Sequence, residues 1–115
     1  MHETEFLNKY IFEGLKNINT GFDSENIKYF SSDDFKIVLQ RAEQYGLGIS
    51  GIEPWKDGDY YDCEVYESHS TLPSDSEWYY SVFDNFLKRN EELQYAASYS
   101  FSEKIRKEFS IIEFK

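Results

Sequence analysis

The residues best suited to chemistry sit close together. Asp57, Asp59, Asp62 and Glu64 are closely spaced acids, and Cys63 and His69 lie among and just after them. Oxygen ligands at this density suit calcium or magnesium. The spacing does not match an EF-hand loop, whose glycine follows several ligands. Paired carboxylates could serve glycoside hydrolysis, but that needs a substrate groove, and no signature in the chain marks one. Cys63 and His69 invite a nucleophile and base. Thiolate formation is the obstacle, because Asp62 and Glu64 flank the cysteine and raise its pKa. Cys63 therefore reads as a small buried hydrophobe, and His69 as a surface-loop residue in a serine-rich stretch. His2 stands beside Met1, far from both. The chain has no Gly-x-Ser-x-Gly elbow, no His-Glu-x-x-His pair and no phosphate-cradling glycine loop. These residues point to binding rather than catalysis, with no cofactor and no metal.

Binding is favoured by how the charge is distributed. The chain of 115 residues has a formal net charge of −10. Between residues 51 and 80 there are eight acids and one base, Lys56, whereas residues 81–115 are balanced. Solubility alone does not require such a block; a site for a cationic partner does. An acidic surface repels nucleic acid and anionic membranes and attracts a basic protein. Aromatics supply 19% of the residues, and tyrosine and tryptophan are favoured anchors because they join large area to a polar tip. The expected contact set is Glu53, Asp57, Asp59, Tyr60, Asp62, Glu64, Tyr66 and Glu67. Strand alternation places Tyr60, Asp62, Glu64 and Tyr66 on one open face, and Tyr61, Cys63 and Val65 on the buried one.

The elements that must position this set follow from periodicity. Residues 3–17 read as a helix, with Leu7, Tyr10, Ile11 and Leu15 at helical spacing. A turn-rich stretch follows, with a short strand at Ile27 to Phe30. Ser31 or Ser32 caps a second helix whose apolar face is Phe35, Val38, Leu39 and Ala42, stopped by Gly46 or Gly48. Residues 48–55 read as a strand, with Pro54 at its end or on an edge. Lys56-Asp57-Gly58-Asp59 turns the chain into a second strand, 60–67. Ser74 or Asp75 caps a third helix reaching Arg89, and residues 93–101 form a third strand. Glu103 to Phe109 reads as helical, with Ile111, Ile112 and Phe114 as a last strand. The order α-α-β-β-α-β gives an α+β fold: an antiparallel sheet of three to four strands with helices on one side. One domain, 1–115, is expected, large enough to hold a core without disulfides. The lone cysteine excludes an internal disulfide. No stretch approaches the roughly 20 apolar residues of a membrane span, and the acidic N-terminus lacks a signal-peptide core, so a cytoplasmic protein is expected.

The helix ending in a glycine step, then Gly51-Ile52-Glu53-Pro54-Trp55, the acidic hairpin and the aromatic helix together cover residues 32–101. In this layout the chain resembles small immunity proteins of bacterial polymorphic-toxin and contact-dependent growth inhibition systems. The resemblance implies a cytoplasmic inhibitor that binds a cognate toxin domain and blocks its active site or substrate-binding surface. Many such toxins are nucleases with basic surfaces, which an acidic patch can occupy. The alternatives are an acidic nucleic-acid mimic that regulates a basic DNA- or RNA-binding protein, and a structural subunit of a larger assembly.

Overall fold

The central strand of the fold is β1, Gly48–Lys56. It is paired along both sides. In the computed structural model, which describes residues 1–89 and 91–112, every strand pairs with β1 and all pairings are antiparallel. One side takes β4, Gln94–Ser100, along nearly its whole length. The other side takes two short pieces, β2 (Asp59–Tyr60) and β3 (Glu64–Val65). The ladder to β4 slips between Ile49 and Gly51. This bulge lets Ile49 and Ile52, three residues apart, both be fully buried.

Two helices cover one face of this sheet. Helix α2 spans Ser32–Tyr45, the second helix after the short α1 at the N-terminus. The Ser31 hydroxyl accepts the Asp34 N–H, Asp33 and Asp34 sit in the first turn, and Gly46 ends it at φ 75°. Its buried face is Phe35, Val38, Leu39 and Ala42. Helix α3, Ser76–Leu87, is capped by Asp75 and buries Trp78, Tyr79, Val82, Phe83 and Phe86. Tyr95 of β4 joins the layers. Its ring stacks on Phe35 at 5.1 Å and meets Phe83 edge-on at the same separation. Burial pushes its hydroxyl pKa up to about 12. This is the expected α+β arrangement, with a four-strand antiparallel sheet and helices on one side.

Several elements differ from the periodicity. The first helix ends early: α1 (Glu3–Phe6) runs into a single π-helical turn, Leu7–Ile11. Gly14 sits at φ 78°, a conformation that cannot continue a helix. The Arg41 guanidinium donates to the freed carbonyls of Ile11 and Glu13. Residues 27–30 do not form a strand; only Phe30 pairs, exchanging two backbone hydrogen bonds of 2.8 Å with Tyr95. The expected strand 60–67 is broken into β2 and β3, and Tyr66–His69 forms a turn of 3₁₀ helix. Glu103–Glu108 is helical (α4), with Ser102 as its cap. Ile111 and Ile112 are not in a strand, and Phe114 lies outside the described residues. Among the described residues no helix is long and apolar enough to cross a membrane.

The glycines of β1 are not equivalent. A Cβ on Gly48 would meet Pro73 Cβ at 2.9 Å and the Ser100 carbonyl oxygen at 3.0 Å. On Gly51 its closest neighbour would be the Ser98 hydroxyl at 3.0 Å, which can rotate away only by leaving its hydrogen bond to Ser50. Gly48→Ala should therefore cost about 2–3 kcal/mol in urea unfolding, and Gly51→Ala about 1 kcal/mol. Equal costs would show that the Pro73 approach is not a tight contact.

Candidate functional site

The acidic hairpin is shaped by one missing hydrogen-bond donor. Pro54 lies in the middle of the ladder, and its carbonyl accepts from both Tyr61 N–H (3.2 Å) and Asp62 N–H (3.3 Å). Proline has no N–H to return to the facing strand. The facing strand therefore cannot keep regular pairing there, and it bulges. Trp55 pairs with Tyr60 and Ile52 with Glu64, so three steps along β1 correspond to four along its partner. One extra residue reverses the alternation beyond it. Tyr60 faces the same side as Trp55, and so does Val65, opposite Gly51. Glu64, opposite Ile52, is turned to the side that carries the helices.

This phase reversal divides the expected contact set. Glu53 and Tyr60 lie on the open face, and Tyr60 is 59% exposed. Asp57 and Asp59 are exposed at the hairpin tip, and Glu67 is exposed in the 3₁₀ turn. Asp62 and Glu64 do not join them. Asp62 is paired with Arg89 at 3.3 Å, just beyond α3, and Glu64 with His69 at 2.9 Å, whose ring lies 5.5 Å from Trp78. Tyr66 packs against the core. A single face of Tyr60, Asp62, Glu64 and Tyr66 therefore does not exist. Cys63 is also not the buried hydrophobe expected: it is exposed, because the reversal places it on the open side with Val65. Its thiol pKa is raised, first by the partial burial of the sulfur and then by Glu53, Asp62 and Glu64, which keeps it protonated and a poor nucleophile.

The open face also holds residues that sequence reading missed. The segment 17–29 folds over the Trp55 end of the sheet. Tyr29 is fully buried there, in a cluster with Phe22 and Trp55 at ring separations of 4.9–5.6 Å. Asn19 organises the segment. Its amide nitrogen donates to the carbonyls of Ser24 and Ile27, and its oxygen accepts from Gly21 N–H. Asn17 accepts the N–H groups of Asn19 and Tyr29. The Tyr29 hydroxyl reaches Asp23 at 2.6 Å and Glu53 at 3.2 Å. The only hint in the sequence was the density of asparagine in a turn-rich stretch. Beside this cluster lies a shallow groove of about 270 Å³, with Gly51, Ala96 and Ser98 on its floor and Glu53, Cys63, Val65 and Ile27 around it.

The hairpin just behind its tip is held differently. Lys56 and the Tyr61 hydroxyl both donate to Glu91, the former as an ion pair. Among the described residues no three histidine, cysteine or carboxylate groups converge as metal ligands. The site offers carboxylates, an exposed tyrosine and a groove. No protein-family model matches this chain, and neither a curated protein nor a solved structure is significantly similar to it.

Two outcomes follow from these contacts. Asn19→Ala removes the hub of the covering segment; it should cost about 1–2 kcal/mol and shift tryptophan emission to the red as water reaches Trp55. Unchanged emission would mean the segment holds without Asn19. The hydrogen bonds from Lys56 and then Tyr61 lower the pKa of Glu91 below its ordinary 4.5. A carboxylate depressed in the folded state stabilises above its unfolded pKa, and that contribution disappears as pH falls through the folded value. Between about pH 7 and about pH 3, Glu91→Gln should therefore lose less stability than the parent protein. Parallel pH profiles for the two proteins would refute this.

Proposed function

We propose that this protein is a cytoplasmic immunity protein that binds and neutralises a cognate bacterial toxin domain, a nuclease with a basic surface. The observation that carries this reading is the set of uncompensated acids at one end of the sheet. Glu53, Asp57 and Asp59 have no cationic partner among the described residues. They lie at the same end of β1 as the exposed Tyr60, which rests edge-on against Trp55 at 6.3 Å. Glu67 has none either, but it sits in the 3₁₀ turn past β3, toward the other end of β1. Such a surface speeds encounter with a basic protein and opposes binding of other acidic ones. A rigid aromatic at its centre gives the area a specific complex needs. The acids that are internally paired, Asp62 and Glu64, hold the hairpin in place and are not counted among the contacts.

The test is a titration with the toxin-like domain encoded beside this protein, at low and high salt. The reading predicts tight one-to-one binding that weakens with salt. Asp59→Lys should slow association about threefold or more at low salt, with unfolding unchanged; Asp57 is left in place because its backbone is left-handed, at φ 50°. Binding that ignores both salt and the reversal would place the contact elsewhere. Comparable affinity for many unrelated basic proteins would instead favour a general nucleic-acid mimic.

A further inference from the structure

The groove on the open face has one charged group in its lining, the Glu53 carboxylate. The rest is small or apolar: Gly51, Ala96 and Ser98 beneath, Ile27 on the β4 side, Val65 and Cys63 on the β3 side. Ile27 is 37% exposed. Glu53 is incompletely satisfied. The Tyr29 hydroxyl has one hydrogen, and at 2.6 Å Asp23 is the closer acceptor, with Glu53 at 3.2 Å. Two carboxylates thus share one phenol. Neither has a cation among the described residues, whereas Asp62 has Arg89 and Glu64 is hydrogen-bonded to the His69 ring.

We propose that this groove seats one long basic side chain, arginine or lysine, presented by a cationic protein partner. The partner's identity rests on the inhibitor reading; the preference of the groove for a basic side chain does not. An aliphatic stem suits the small and apolar floor, and a charged head placed at its end meets Glu53. The groove is near the lower limit of ligand pockets, roughly 300 Å³, which fits one side chain rather than a larger molecule. A wholly apolar occupant would leave the Glu53 carboxylate covered and unpaired, which is costly. An anion would be repelled by Glu53 and Asp23. A divalent cation requires more oxygen ligands than one lining carboxylate provides. The charge of Glu53 and the small, uncharged floor therefore select the same occupant.

The experiment is an amide-resolved NMR titration of the whole protein with three probes: N-acetyl-arginine amide, N-acetyl-lysine amide and N-acetyl-norleucine amide. Arginine, lysine or both should shift the amides of Gly51, Ala96 and Ser98, and norleucine should not. Glu53→Gln should weaken the response about tenfold. Ser98→Leu, at an exposed floor position, should fill the groove and abolish the response while leaving the rest of the spectrum folded. Equal shifts with norleucine, or shifts confined to Asp57 and Asp59, would overturn the proposal. The same two variants separate this proposal from the inhibitor reading. Toxin binding that is indifferent to both removes the groove and leaves the inhibitor. A specific arginine or lysine response without toxin binding keeps the groove and removes the inhibitor.

Discussion

Much of this molecule depends on a proline in a strand that is paired on both sides. A central strand normally excludes proline, because each residue there owes an N–H to a neighbour. Here Pro54 directs its carbonyl, and its missing donor, toward the hairpin partner, which is short and can bulge. The long β4 ladder is spared, since Glu53 and Trp55 on either side of Pro54 address it. The cost is confined to three residues, 61–63, and two of the consequences are functional. The bulge turns Asp62 and Glu64 back toward α3, where they find Arg89 and His69. It also brings Cys63 and Val65 out onto the face shared with Glu53.

The two sides of the sheet are covered on different principles. Under α2 and α3 the layer is close-packed and aromatic, with Tyr95 set between Phe35 and Phe83. On the other side the cover is a stretch without regular structure, held by asparagine side chains in place of a backbone ladder. It reaches only as far as Trp55 and Tyr29. Beyond it the sheet is bare, and there the residues are small. The combination leaves a recess with a half-buried acid beside a protonated phenol.

The sequence was most informative where periodicity and capping agreed. Phe35, Val38, Leu39 and Ala42, preceded by serine and two aspartates, specify α2 with little room for error, and α3 is as plain. The Lys56-Asp57-Gly58-Asp59 turn is legible from its turn chemistry, and it places β1 before it although the bulge hides the alternation of that strand. Alternation failed at residues 60–66 because it assumes an unbroken ladder. Pro54 is plainly a poor donor, but the damage falls on its partner strand, where the residue pattern looks regular. The segment 17–29 was opaque for another reason: its order comes from Asn17 and Asn19 binding several backbone groups at once, a geometry that leaves no periodic trace. Periodicity carries the first helix past Gly14, whose left-handed backbone no helix can pass through, and the helix stops before it.

The hairpin tip stands apart from all of this. Asp57 and Asp59 are exposed, carry no ion pair among the described residues and sit beyond the last pairing with β4. Asp57 is left-handed at φ 50°, which few residues suit, but substitutions at an exposed position such as Asp59 commonly change stability by no more than about 0.5 kcal/mol. Recognition can therefore drift there without threatening the fold. A lineage bearing this scaffold can change partners by altering its tip, while Pro54, Glu53 and the asparagine-held segment preserve the frame behind it.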